Sequence, residues 1–282
     1  MSRVGLSACL FHNMDMLETD IPMQDPSTGG AQSLRRAVSV LRTLAAAQDQ
    51  GARLADIAGQ CNLTRPTAHR LLQVLVEEGL AERTLRSRRY VIGREATLFG
   101  IARTSAFPIR DVADPYLRHV CEATGDSTVL TLRSGPDSIC VDRRIGSYPI
   151  QVMSVSIGAR LPLGVGVGGL VMLAFLPNEE AAALLRRNEA RLARRRISLA
   201  EITERMHAVR GKGYAFTETG VIPGTHVVAV PVFDAAGFPV AAISVSSMAS
   251  RLPGSRARQI APMLMEQARG LGCEHARFKG HH

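Results

Sequence analysis

The sequence predicts an α+β protein in two units: an N-terminal winged helix-turn-helix, then a linker helix, then a larger C-terminal α/β domain. Three observations predict it. Apolar residues recur at helical spacing in three runs between residues 34 and 76, separated by short breaks. The period then changes to that of two short strands between residues 80 and 92. From residue 111 helix and strand patterns mix to the end of the chain. A length of 282 residues accommodates two buried cores without a metal or disulfide staple.

Charge and cysteine content set the class of partner and compartment. The formal net charge of +9 favours a polyanion. Nearly all of the basic charge is arginine, Lys212 and Lys279 being the lysines. Arginine suits bidentate contact with phosphate and guanine, although a GC-rich genome enriches the same residue. The five cysteines, an odd number with no CxxC spacing, read as reduced thiols in the cytoplasm. The histidines show no metal-ligand spacing, so no metal or cofactor is expected. The apolar run at residues 4–11 is short and precedes a poor cleavage site, and the run at 161–176 is too short for a bilayer. No membrane partner is expected.

Residues 1–30 lack periodicity and read as a tail, and the DNA-binding type of unit occupies residues 31–94. Ser33 is a plausible N-cap for a first helix with Leu34, Ala37, Val38, Leu41, Leu44 and Ala45 on one side. A short second helix carries Leu54, Ile57 and Ala58 and stops at Cys61-Asn62-Leu63, where Asn tolerates the left-handed turn. Thr64 caps the third helix, and Pro66 fits its first turn because the missing N–H is not needed there. Ala68, Leu71, Leu72, Leu75 and Val76 form its inner stripe, and Gly79 ends it. Two strands around residues 85–87 follow, and a linker helix spans 95–108, stopped by Pro108.

The third helix of such a unit enters the major groove. Its solvent side carries Arg65, Thr67, His69, Arg70 and Gln73, and the hairpin carries Arg83, Arg86, Arg88 and Arg89. Either set alone reads as a solvated surface. Their agreement with the caps, the turn and the apolar stripe points to double-stranded DNA.

The string Leu63-Thr64-Arg65-Pro66-Thr67-Ala68-His69-Arg70-Leu71-Leu72, with Asp56-Ile57-Ala58 before it and Val76-Glu77-Glu78-Gly79-Leu80 after it, resembles the DNA-binding domain of IclR-family transcriptional regulators. The resemblance implies DNA contacts at Thr64, Arg65, Pro66, Thr67, His69 and Arg70 and at the hairpin residues Arg86, Arg88 and Arg89. Two departures stand out: Pro66 replaces the usual serine, and Arg53 stands where the second helix usually has a capping hydroxyl.

The resemblance continues through residues 109–272, on Gly158-Ala159-Arg160-Leu161-Pro162-Leu163, Gly211-Lys212-Gly213-Tyr214 and Ala229-Val230-Pro231-Val232-Phe233-Asp234. It implies a GAF-like domain that binds a small-molecule effector, with Val167, Gly168, Thr217, Val227, Ser244 and Ser246 lining the pocket. It also implies a homo-oligomer, dimer or tetramer. Residues 273–282 read as a second tail.

The residues support part of this by themselves. A glycine-rich turn at 164–169 leads into a helix expected near Gly169, whose free N–H groups favour a carboxylate. Ser244 and Ser246 share one face of a strand. Strands are expected at 127–133, 138–143, 151–155, 225–232 and 240–246, and helices at 111–124, 179–194, 199–212 and 256–270. Leu163, Val165 and Val167 add apolar surface, which suits an aromatic or branched aliphatic acid. The glycines at 164, 166 and 169 also spell GxGxxG, but a helix rather than a strand follows Pro177, against a dinucleotide site. The competing readings are an enzyme with an accessory helix-turn-helix and an architectural DNA binder. No GxSxG, P-loop or HExxH motif supports the first, and the large C-terminal domain argues against the second.

Overall fold

The structure, a computed structural model, describes residues 31–84, 87–101, 108–153, 155–218 and 222–279. Both tails' extremes, residues 1–30 and 280–282, lie outside it, as does Arg86.

Three helices build the first unit: α1 (Gln32–Ala47), α2 (Leu54–Gln60) and α3 (Arg65–Glu77). Val40, Leu44, Ile57, Leu72 and Leu75 meet in its core. The apolar stripe of α1 is therefore rotated from the sequence expectation. Ser39, Val40, Thr43 and Leu44 are buried, while Leu34 is 68% exposed. Ser33 lies within α1 rather than capping it. On α3, Ala68, Leu72 and Leu75 are buried, but Val76 is exposed, because the stripe drifts away from the core in the last turn.

The turn between α2 and α3 forms as the residues dictate. Asn62 takes φ 51, and the Thr64 hydroxyl accepts from the Thr67 N–H at 3.4 Å. At the start of α2 the Asp56 carboxylate accepts from the Arg53 N–H at 3.3 Å. This bond satisfies one of the end groups that a capping hydroxyl would otherwise help to anchor. Strands β1 (Ala81–Arg83) and β2 (Tyr90–Ile92) pair antiparallel to make the wing. Buried Tyr90 also bridges to Ala52.

The linker differs from expectation. Helix α4 covers Arg94–Ile101, residues 102–107 lie outside the described set, and α5 (Pro108–Thr124) begins on the proline predicted as a stop. Proline fits a helix's first turn as well as it ends a preceding one.

The second unit is a six-stranded antiparallel sheet, in the order β5-β4-β3-β8-β7-β6. Its strands are β3 (Ser127–Ser134), β4 (Asp137–Arg144), β5 (Arg160–Pro162), β6 (Ala215–Thr217), β7 (Thr225–Phe233) and β8 (Pro239–Met248). The short edge strands β5 and β6 have too few residues to show alternation in the sequence. The strand expected at 151–155 is absent: the described residues there are irregular. Helices α5 and α9 (Gly254–Lys279) pack on one face. Helices α6 (Val167–Ala174), α7 (Asn178–Arg194) and α8 (Leu199–Lys212) cover the other. Helix α9 runs seven residues beyond 272, so residues 273–279 are helical rather than a tail. His275 in this last part is buried, which anchors those turns.

Alternation along the strands assigns different sizes to the two faces. Val228, Val230, Val232, Ile243 and Val245 fill the α5–α9 side. Facing α6 are Ala229, Ala242 and Ser244, all small. A layer with small side chains on the sheet leaves unfilled volume, and that volume is the pocket.

Candidate functional site

Helix α3 presents Thr64, Arg65, Pro66, His69, Arg70 and Gln73 to solvent, with Thr67 half-buried between them. The Thr64 and Thr67 hydroxyls lie 2.8 Å apart, so Thr67 is held by the cap rather than free to turn outward. In the wing, Arg83 and Arg88 are exposed, Arg88 at φ 53. The guanidinium of Arg83 lies 5.8 Å from the centre of the Tyr90 ring. Arg89 is half-buried, and its Nη1 donates to the Gly51 carbonyl at 3.1 Å, tying the wing to the turn that follows α1. The chain turns over at Arg88 and aims the next side chain back at the body of the unit.

The pocket lies between the sheet and the N-terminus of α6. Its lining includes all six residues expected there, Val167, Gly168, Thr217, Val227, Ser244 and Ser246. Register explains the gathering. Thr217 stands opposite Val227, and Val227 opposite Ser246. In the adjoining part of the sheet Val129 stands opposite Ser244, and Thr131 opposite Cys140. Val129, Thr131, Ser138, Cys140, Val155, Ala159, Leu161 and Val165 also line it and were not anticipated. The i, i+2 pairs Val129–Thr131 and Ser138–Cys140 carry the same alternation as Ser244–Ser246, but only the pairing of β3 with β8 shows that they share a wall. Leu163, expected nearby, is instead fully buried in the helical core.

Helix α6 begins two residues before Gly169, with Gly166 at its N-cap and no side chain capping it. Its first turn approaches the sheet closely. A Cβ on Gly168 would stand 3.1 Å from the Thr131 hydroxyl, and one on Gly169 3.1 Å from the Ser138 hydroxyl. The glycines bring the helix's N–H groups to the hydroxyl-lined wall, and the dipole end there is positive. Among the described residues, no Arg, Lys, His, Asp or Glu lines the cavity. Burial pushes the Cys140 thiol up to about 12, so it remains a neutral wall group. The open space measures about 60 Å³ for the centres of water-sized spheres. Among the described residues no cluster of His, Cys, Asp or Glu is placed to hold a metal. No described helix is long and apolar enough to cross a membrane.

Buried ion pairs hold the walls. Asp126, 1% exposed, lies 2.6 Å from Arg251 and 2.9 Å from Arg256, and accepts from the Ser247 hydroxyl at 2.8 Å. Asp137 on β4 lies 2.6 Å from buried Arg191 of α7. Five exposed or half-buried arginines of the α7 region (186, 187, 194, 195 and 196) remain at the surface.

A winged helix-turn-helix joined to a pocketed α/β domain defines a DNA-binding regulator with a small-molecule effector domain. Residues 33–85 match the IclR helix-turn-helix domain and residues 101–272 the bacterial transcriptional regulator IclR C-terminal domain. The chain belongs to the IclR family and is a transcriptional regulator rather than an enzyme. It is 27% identical over 248 residues to the transcriptional repressor IclR of Escherichia coli, covering 86% of this chain and 90% of that protein. The fold matches an IclR regulator from Alicyclobacillus acidocaldarius with TM-score 0.65 and 23% identity, over 87% of this chain and 98% of that one. It also matches an IclR homologue from Microbacterium hydrocarbonoxydans complexed with 4-hydroxybenzoate, with TM-score 0.62 and 21% identity, over 87% of this chain and 99% of that one.

Proposed function

We propose that this regulator reads an operator with α3 and responds to a carboxylic acid with a compact apolar body, branched aliphatic or single-ring aromatic. The observation that carries the effector reading is the make-up of the pocket. Uncapped N–H groups at the start of α6 and hydroxyl residues Thr131, Ser138, Thr217, Ser244 and Ser246 line it. Val129, Val155, Leu161, Val165 and Val227 provide the apolar remainder. A charged group without a protein counter-charge is best held by a helix dipole and neutral donors. Each methylene removed from water on the apolar side contributes about 0.8 kcal/mol.

On the DNA side, Thr64, Arg65, Pro66, Thr67, His69 and Arg70 form the groove-facing start of α3, and Arg88 flanks it from the wing; Arg86, expected beside it, lies outside the described residues. Arg89 supports the wing from behind. A half-site of a few base pairs gives little specificity, so two copies act together. Leu34, Leu98 and Phe99 are exposed apolar side chains of α1 and α4 suited to that seam; Ile101's side chain lies outside those described.

The test is calorimetric titration of the full chain with glyoxylate, pyruvate, 3-methylbutanoate and benzoate. The branched or aromatic acids are expected to bind at least tenfold more tightly than the two keto acids. Tighter binding of glyoxylate or pyruvate overturns the apolar-body assignment.

A further inference from the structure

Segment 155–160 has two sides. Inward, Val155 and Ala159 wall the pocket. Its backbone is tied to the wall strand β4 at a pocket residue: the Gly158 N–H donates to the Cys140 carbonyl at 2.7 Å, and the Cys140 N–H donates to the Ala159 carbonyl at 3.1 Å. Outward, the same segment carries the C-terminal end of α1. The Gln48 side-chain amide donates to the Ile157 carbonyl at 3.4 Å. Gly158, at φ +86, faces Ala45: a Cβ there would lie in ordinary contact, 3.5 Å from the Ala45 carbonyl oxygen.

Two features mark this contact as one that can open. Gln48 sits at φ 47, ψ −146, a conformation that glycine takes readily and glutamine does not. Backbone strain of this kind persists where the side chain is used, and here the side chain makes the bridge. Beside it, burial and then the charge of Arg42 hold the Arg160 guanidinium below its ordinary pKa. Asp137, 3.6 Å from Arg160, offsets that repulsion on the β4 side only. One long hydrogen bond and a van der Waals contact at Gly158 make a thin junction, suited to two states.

We propose that segment 155–160 is a strap that couples the pocket to the DNA-binding unit, passing a change at Cys140 and Ala159 through Ile157 and Gly158 to Gln48 and Ala45. From there Val40 and Leu44 of α1 pack in one core with Leu72 and Leu75 of α3, so displacement of α1 carries the recognition helix with it. The route bypasses α4. It rests on the effector reading of the pocket and adds how occupancy reaches the DNA.

The experiment uses the full chain, Gln48→Gly and Arg42→Gln. Gln48→Gly removes the amide and relieves the strained backbone, so it is expected to fold at least as well as the parent. Amide hydrogen exchange over 155–160 is read with and without an operator duplex selected from random DNA. In the parent, operator is expected to change exchange there at least threefold; in Gln48→Gly the change disappears while operator binding persists. Arg42→Gln is expected to slow exchange in the DNA-free protein. Unchanged exchange in the parent, or a parent-like response in Gln48→Gly, overturns the strap. A second arm titrates benzoate and 3-methylbutanoate with and without operator. Because coupling is reciprocal, the ratio of the two dissociation constants moves toward one in Gln48→Gly. A parent-like ratio in that variant also overturns the strap. A parent that binds neither acid sinks the effector reading instead, and the DNA-driven exchange still decides the strap.

Discussion

The two units put arginine to opposite uses. On α3, Arg65 and Arg70 stand in solvent on a helix whose inner side is sealed by Ala68, Leu72 and Leu75. In the second unit, Arg191 is buried against Asp137, and Arg251 and Arg256 converge on buried Asp126. An exposed guanidinium keeps its hydration and remains available to phosphate or guanine. A buried one must be matched by a carboxylate, and both then serve the fold. The difference shows why overall charge identified a partner class but no site. Of the arginines that give the chain its positive charge, some hold strands and helices together around a pocket with no charged side chain among its described lining residues.

Three substitutions and one labelling experiment break or sharpen that contrast. The largest effect is expected at Asp126→Ala. Removing one partner of a buried pair leaves two guanidinium groups without their carboxylate, at a cost of about 3–5 kcal/mol. Urea denaturation is expected to show that loss; a change within experimental error would mean the cluster is solvated and the contrast false. Arg70→Ala comes next. It is expected to leave the urea midpoint unchanged and weaken operator binding by about 1–3 kcal/mol, measured at one salt concentration. Equal operator affinity would remove α3 from the DNA-contacting surface.

A smaller effect is expected at the pocket. Ser246→Ala removes a hydroxyl whose other contact is the Val152 carbonyl at 3.4 Å. Loss of about 0.5–1.5 kcal/mol in acid binding, with operator affinity unchanged in the absence of acid, fits a hydroxyl used by the ligand. Unchanged acid binding returns that serine to a purely structural part. The smallest effect concerns Cys140. Its folded pKa is raised from 9.0 to about 12, so the fold favours the neutral thiol. That contribution is complete below pH 9 and is lost as pH rises through 12. Iodoacetamide at pH 8 is expected to label exposed Cys273 well before Cys140. Equal labelling rates would mean that the pocket wall opens to solvent.

The recognition unit was legible because its signals are local. A cap at Thr64, a left-handed Asn62 and an apolar repeat of three and four residues each lie within a few positions of what they control. Where reading slipped there, it slipped by rotation: Leu34 and Val76 fit a helical repeat yet face solvent, since the repeat fixes a stripe and not the partner that covers it. The hydrogen bond from Arg89 to Gly51, 38 residues earlier in the chain, has no local signal.

By itself the sequence determined the helices of the first unit, the long strands, the two-unit order and, through resemblance, six residues of the pocket lining. Each follows from patterns a few residues long, because backbone hydrogen bonding and side-chain alternation have short periods. Tertiary structure alone decided that Val129, Thr131, Ser138 and Cys140 join that lining, and that Gln48 touches the segment enclosing it. Those juxtapositions depend on register between strands far apart in the chain and on how one unit rests on the other. The physical reason is that a pocket is volume left over when large side chains crowd one face of a sheet and small ones face the other, and no single stretch of chain contains that difference.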